Sequence, residues 1–160
     1  VHLSHTNMPT SDIRRRQTAA DIPMLLQDIP GVNAYSDAGN GIGYTYLKIR
    51  GFDQRRVAVL VNGIPLNDPE DHQVYWVDMP ALASSLEDVQ VQRGITNGVG
   101  GVTAIGGSVN LVTSVLGDKP AGRATVETGT YGTNRRMISY TTGDLGQGLS
   151  TGPQLMKDCK

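Results

Sequence analysis

The sequence predicts a sheet-dominated fold with a few short helices, and three observations carry that expectation. Glycine is abundant, at 20 of 160 residues, against a single Phe and a single Trp. The apolar residues fall in short β-branched runs, as sheets require. Helical spacing of apolar residues is pronounced in one stretch only. A chain of this length suits one compact unit with a modest core. The formal net charge of -1 supplies no field that would draw the chain to nucleic acid or anionic lipid. One cysteine, Cys159, rules out an internal disulfide and any multi-cysteine zinc cage. No apolar run approaches the roughly 20 residues of a membrane helix. Val1 to Thr10 lacks the apolar core of about 7 to 15 residues of a signal peptide. The chain as given is expected to be soluble, or to begin after processing.

Taken in order, Thr10-Ser11-Asp12 can cap a short helical turn over Ile13 to Arg16. Ala19 to Asp28 predicts a helix, with Ile22, Leu25, Leu26 and Ile29 at helical spacing, Pro23 in its first turn and Pro30-Gly31 ending it. Val32 to Tyr35 reads as a short strand and Ser36 to Gly43 as a loop. Tyr46 to Arg50 and Val57 to Val61 predict two neighbouring strands joined through Gly51 to Arg56. The second run is apolar throughout, as in a strand covered on both faces. Ile64 to Asp78 reads as a long ordered loop, Pro80 to Leu86 as a helical turn, and Asp88 to Arg93 as a strand with Val89 and Val91 on one face. Ser108 to Thr113 is a further strand. Arg123 to Thr130 and Arg135 to Thr142 alternate polar and apolar residues around Tyr131 to Asn134, a hairpin pattern too polar for core strands. Gly143 to Lys160 has no periodicity and predicts disorder.

Arg93 to Thr113 holds six glycines. A phosphate loop would need a lysine after the glycines and a helix beyond it, because backbone N–H groups at a helix start hold the phosphates. Here a strand former follows. The same holds for Gly39 to Gly43. A flexible linker would leave Val99, Val102, Ala104 and Ile105 wet. The remaining reading is a tightly folded segment in which glycine permits positive φ and close backbone approach.

Five segments in order, Leu25 to Val32, Ile49 to Phe52, Val59 to Gly63, Val89 to Gly94 and Ala104 to Thr113, resemble the plug domain of TonB-dependent outer-membrane receptors. Asn67 to Asp78 is similar to a Bacteroidota-like subgroup of them. The resemblance implies an α+β plug with a four-stranded mixed sheet, seated in a barrel of about 22 strands. Such a barrel needs well over ~200 residues, so it is missing from this chain. On that reading 1–116 is the plug, 117–142 the truncated first barrel strands, and 143–160 a disordered tail. The TonB box implied ahead of a plug is not recognisable in Val1 to Ser11.

The resemblance assigns roles residue by residue. Arg50 and Arg93 would lock plug to barrel by pairing with wall carboxylates, so in this chain both should be wet. Ligand contacts would fall on outward loops: Tyr35, Ser36 and Asn40 on one, Asp68, Glu70, Asp71, His72, Tyr75 and Trp76 on the other. Tyr75 and Trp76 would stack on the ligand; loop packing with solvation is the bland alternative. Gly31, Gly51, Gly63, Gly94, Gly106 and Gly107 would be structural. Implied partners are the barrel, the TonB complex and a transported siderophore, vitamin, sugar or peptide, with no nucleic acid and no cofactor. Glu70, Asp71 and His72 fall short of a metal-ligand spacing. His2 and His5 lie in an expected frayed terminus, and Arg14 to Arg16 read as a solvated helix face. No residue pattern indicates catalysis. A free-standing soluble binding module using Asn67 to Trp76 is the rival reading, and a nucleotide-using enzyme a distant third.

Overall fold

The computed structural model describes residues 4–16, 20–80, 82–95, 104–114, 119–128, 132, 134–143 and 154–159. The chain divides into two compact units, Val1–Thr113 and Ser114–Lys160.

The first unit is built on a mixed five-stranded sheet ordered β1-β7-β8-β5-β6, from β1 (Ser4–Pro9), β5 (Val57–Val61), β6 (Ile64–Pro65), β7 (Leu86–Arg93) and β8 (Gly107–Thr113). Four strands are long and β6 has two residues. β5 and β8 are parallel, while β1–β7, β7–β8 and β5–β6 are antiparallel. The register aligns apolar rows on one face, Met8–Val89–Leu111–Val61 and Thr6–Val91–Val109–Val59. Alternation along each strand thereby becomes a continuous core. β5 is covered on both faces, as its composition predicts. Val57 and Val59 join the main core, whereas Ala58 and Leu60 pack with Ala104. Asn62-Gly63, both at positive φ, turns β5 into β6.

Against the core face lie α1 (Thr10–Arg16), α2 (Ile22–Leu25) and a small antiparallel sheet of β2 (Val32–Ser36), β3 (Thr45–Ile49) and β4 (Phe52–Asp53). The helix expected over Ala19 to Asp28 shrinks to four residues. Turns after it still deliver Leu26 and Ile29 to the core. Residues 17–19 lie outside the described residues. On α1, Arg15 pairs with Asp12 and Arg16 with Asp28 at the surface.

Three further expectations are corrected. Ser4–Pro9 is a strand rather than a frayed end, because β7 offers it a full antiparallel edge. β3 and β5 are not neighbours: Arg50-Gly51, at φ 52° and 81°, folds β4 back onto β3, and a 3-10 turn over Gln54–Arg56 redirects the chain into the other sheet. The long loop before Asp78 contains β6 and a 3-10 turn at Trp76–Asp78.

Of the glycine stretch, residues 96–103 lie outside the described residues. At its far end no side chain fits. A Cβ on Gly106 would fall 2.8 Å from Phe52 Cβ, and one on Gly107 would collide with the Gln92 carbonyl. Gly107 also holds φ at 146°, and Gly31, Gly51, Gly63 and Gly94 are at positive φ as well.

The second unit is an antiparallel sheet ordered β11-β10-β9, from β9 (Ala121–Thr128), β10 (Asn134–Thr141) and β11 (Gln154–Cys159). The expected hairpin pairs from Ala121↔Thr141 to Thr128↔Asn134. Within the tail, expected to be disordered, Gln154–Cys159 form β11, while 144–153 and 160 lie outside the described residues. Backbone hydrogen bonding to an open strand edge does not require the apolar periodicity that the tail lacks. Val126, Ile138 and Tyr140 share one face of this sheet and are exposed.

Candidate functional site

The second predicted ligand loop borders a cleft together with the start of β3, just beyond the first. Gly43 to Tyr46, where the first loop enters β3, and Gln73 to Val77 of the second line a cleft of about 80 Å³ with Gln54 at its base. β3 alternates across its two faces. Thr45, Leu47 and Ile49 are buried, while Tyr44 stands 63% exposed and Tyr46 and Lys48 face outward with it. Asp21, itself buried, fixes the loop's root. Its Oδ2 accepts from the Gly43 N–H at 2.8 Å and the Thr45 hydroxyl at 3.1 Å, and its own N–H donates to the Gly41 carbonyl. Such bonds offset the cost of burying a carboxyl group.

Tyr35, on β2, stacks on Tyr46 with ring centroids 5.1 Å apart, and Lys48 Nζ lies 5.4 Å from the Tyr35 centroid. Both contacts are of attractive type. The Tyr46 hydroxyl donates to Asp37 Oδ2 at 3.1 Å. That bond raises the Tyr46 pKa, since ionisation would set a phenolate beside a carboxylate; partial desolvation acts in the same direction. Asn40 accepts from the Ile42 N–H, which closes the loop locally. The Ser36 hydroxyl is hidden from solvent and has no partner among the described residues. Of the residues expected to contact a ligand only Tyr75 and Trp76 line the cleft; Tyr35, Ser36, Asn40, Asp68, Glu70, Asp71 and His72 do not.

The second loop is held by its own polar side chains. Asn67 accepts from Val59 N–H at 2.8 Å and donates to the carbonyls of Val57 and His72, stapling the loop to β5. Asp68 accepts from the backbone of Glu70 and Asp71, and Asp71 from that of Gln73. His72 takes φ 60° at the tip, and Glu70 is exposed. Tyr75 donates its hydroxyl to Asp71. The hydrogen bond holds the Asp71 carboxyl below its ordinary range, with the Gln73 N–H adding to it, and raises the Tyr75 phenol.

Trp76 departs from its expected role. It is 2% exposed and belongs to the main core, so it cannot stack on a ligand at the surface. Its indole N–H donates to Gln54 Oε1 at 3.3 Å. An indole nitrogen only donates, so Gln54 Nε2 is left to donate to the Val74 carbonyl at 3.3 Å. Gln54 thus gives the cleft lining a hydrogen-bonded polar side chain. The cleft walls are Tyr44, Tyr46 and Tyr75. Sequence reading missed Tyr44, Tyr46, Lys48 and Gln73, although the alternation in Tyr44 to Ile49 marks the outward face. Among the described residues no group of three His, Cys, Asp or Glu side chains converges as a metal site.

Arg50 and Arg93 come together on another part of this unit. A Cβ on Gly31 would lie 3.7 Å from both Arg50 Cγ and Arg93 Cδ, and one on Gly94 would lie 3.4 Å from Arg50 Nη1. Arg50 is exposed, as expected. Arg93 is not simply wet. It is half-buried and donates to the Pro30 carbonyl at 2.6 Å and to the hydroxyls of Ser4 and Thr6 at 2.7 and 2.9 Å. The reason is register, which sets Arg93 on the same sheet face as Val89 and Val91. Among the described residues no carboxylate pairs with either arginine.

Comparison with known proteins places these features in a family context. The family model described as TonB-dependent Receptor Plug Domain matches residues 2–108. Ferric enterobactin receptor PirA of Pseudomonas aeruginosa is 27% identical over 154 residues, covering 87% of this chain and 21% of the relative. Among solved structures, the siderophore receptor PiuA from Acinetobacter baumannii superposes with a TM-score of 0.71 at 20% identity, covering 98% of this chain and 20% of that one. The ferric yersiniabactin uptake receptor FyuA from Yersinia pestis gives 0.69 at 18% identity, covering 96% and 24%. The chain thus spans about a fifth of the length of the curated relatives it matches.

Proposed function

The chain belongs to the TonB-dependent receptor plug domain family, and from that premise we propose that it gates the barrel of an outer-membrane receptor for energy-coupled import. In this reading 1–116 is the plug and 117–142 begins the barrel wall. The plug closes a lumen that would otherwise leak, and the Tyr44, Tyr46 and Tyr75 cleft gives first contact to the ligand. A ferric siderophore is the ligand class favoured by the relatives, several of which are receptors for such chelates. Aromatic walls with phenolic hydroxyls suit a planar, oxygen-rich chelator. Its partners would be the barrel and the TonB complex, its place the outer membrane, and its role transport rather than catalysis. The isolated plug would be soluble.

Arg50 and Arg93 would join plug to wall. Two neighbouring cations with no carboxylate partner among the described residues are suited to acids offered from outside, and a guanidinium grips a carboxylate with two parallel bonds. The match of the family model over residues 2–108, spanning both loops of the cleft and both arginines, carries this reading. Its test is made in the full reading frame that carries the chain. Deleting residues 4–113 is expected to abolish energy-dependent uptake of a radiolabelled ferric catecholate and to admit large hydrophilic antibiotics. A frame without barrel strands, or a deletion that leaves uptake intact and admits nothing, would overturn it.

A further inference from the structure

We propose that Arg93 is a latch that holds one end of β1 on the sheet, making Ser4–Asn7 a strand segment that detaches while the sheet behind it stays folded. The two ends of β1 are held by different means. At the far end Met8 is buried in the main core and the Thr10 hydroxyl donates to the Glu87 carbonyl at 2.6 Å. The near end has no buried apolar side chain: Ser4, His5 and Asn7 are exposed and Thr6 is half-buried. What faces the core there is the row Ser4–Arg93–Gly107–Val57, in which Gly107 has no side chain to pack.

Arg93 fills that place. One Nη group donates to the Pro30 carbonyl and the other is shared between the hydroxyls of Ser4 and Thr6, so the guanidinium clasps β1 to the turn before Gly31. The clasp is built for release. All three acceptors are neutral, and the buried Nε–H has no partner among the described residues, so there the cation is held by dipoles and is incompletely satisfied. Detachment of Ser4–Asn7 removes two of the three acceptors at once and frees the guanidinium beside Arg50. The inference concerns this chain by itself, in which the neutral acceptors are what hold Arg93.

Amide hydrogen exchange on the chain, resolved by residue, tests it. The double variant Ser4→Ala, Thr6→Val keeps Arg93 and the core intact and is expected to speed exchange at Ser4–Asn7 by about tenfold. Met8, β7 and β8 should keep their protection. Arg93→Lys should reproduce the same local pattern, because an ammonium cannot span both hydroxyls and the carbonyl with a planar fork. Unchanged protection at Ser4–Asn7 in either variant, or acceleration spread evenly through β7 and β8, would overturn the latch.

Discussion

The two walls of the cleft are made by different strategies. The loop from Asn67 to Asp78 spends its polar groups on itself: Asn67, Asp68 and Asp71 all bind backbone, and Trp76 anchors the far end in the core. The β3 wall is divided. Its shape comes from the strand, whose other face carries Thr45, Leu47 and Ile49 inward; Tyr46 stacks on Tyr35 and donates to Asp37, while Tyr44 projects outward with no side-chain hydrogen bond among the described residues. Side chains that hold a loop together are poor candidates for recognition, because a ligand must break their bonds before using them. On the strand wall Tyr44 alone is both positioned and uncommitted among the described residues, which makes it the better candidate for recognition.

That contrast is broken most severely at Trp76. Trp76→Ala should destabilise the first unit by about 3–5 kcal/mol, as large core truncations do, read by chemical denaturation. If stability barely changed while ligand binding fell, Trp76 would be a recognition residue after all. The next effect is a pH dependence at the Asp71–Tyr75 bond. Asp71 is lowered, so its contribution is present above the ordinary carboxylate pKa and disappears as pH falls through the depressed value. Tyr75 is raised, so its contribution is present below the ordinary phenol pKa and disappears as pH rises through the raised value. The bond thus spans the whole interval between about 4 and 10. An NMR titration of the Asp71 carboxyl should show its midpoint move up towards the ordinary value in Tyr75→Phe. An unmoved midpoint would show that the hydroxyl does not hold it. The smallest structural effect is expected on the other wall: Tyr44→Ala should alter stability by no more than about 0.5 kcal/mol while weakening binding of a ferric catecholate in the full receptor, measured by fluorescence quenching. A large loss of stability would show that this wall is structural too.

Much of the fold was legible in the residues. The unbroken apolar run Val57 to Val61 announced a strand covered on both sides, and the glycines at 106 and 107 announced a place where backbones crowd. Asn62-Gly63 marked its hairpin. The site was legible only in part. Of the residues expected to face a ligand, Tyr75 and Trp76 line the cleft, but Trp76 looked like a binding aromatic because an indole in a loop carries no sign of which way it turns. β1 was missed because Ser4–Pro9 is polar and short, and only an available edge on β7 makes it a strand.

By itself the sequence determined what each residue's neighbourhood must be like: which runs alternate, which positions admit no side chain, where chain direction reverses. These are local properties, set by backbone sterics and by the wish of apolar groups to leave water. Only the tertiary structure decided who meets whom. It put β3 and β5 in different sheets, turned Trp76 inward onto Gln54, and brought Arg93 to Ser4 and Thr6 across more than eighty residues of chain. A side chain's periodicity fixes the face it occupies, but its partner is chosen by register between strands far apart in sequence, and that choice is a property of the packed whole.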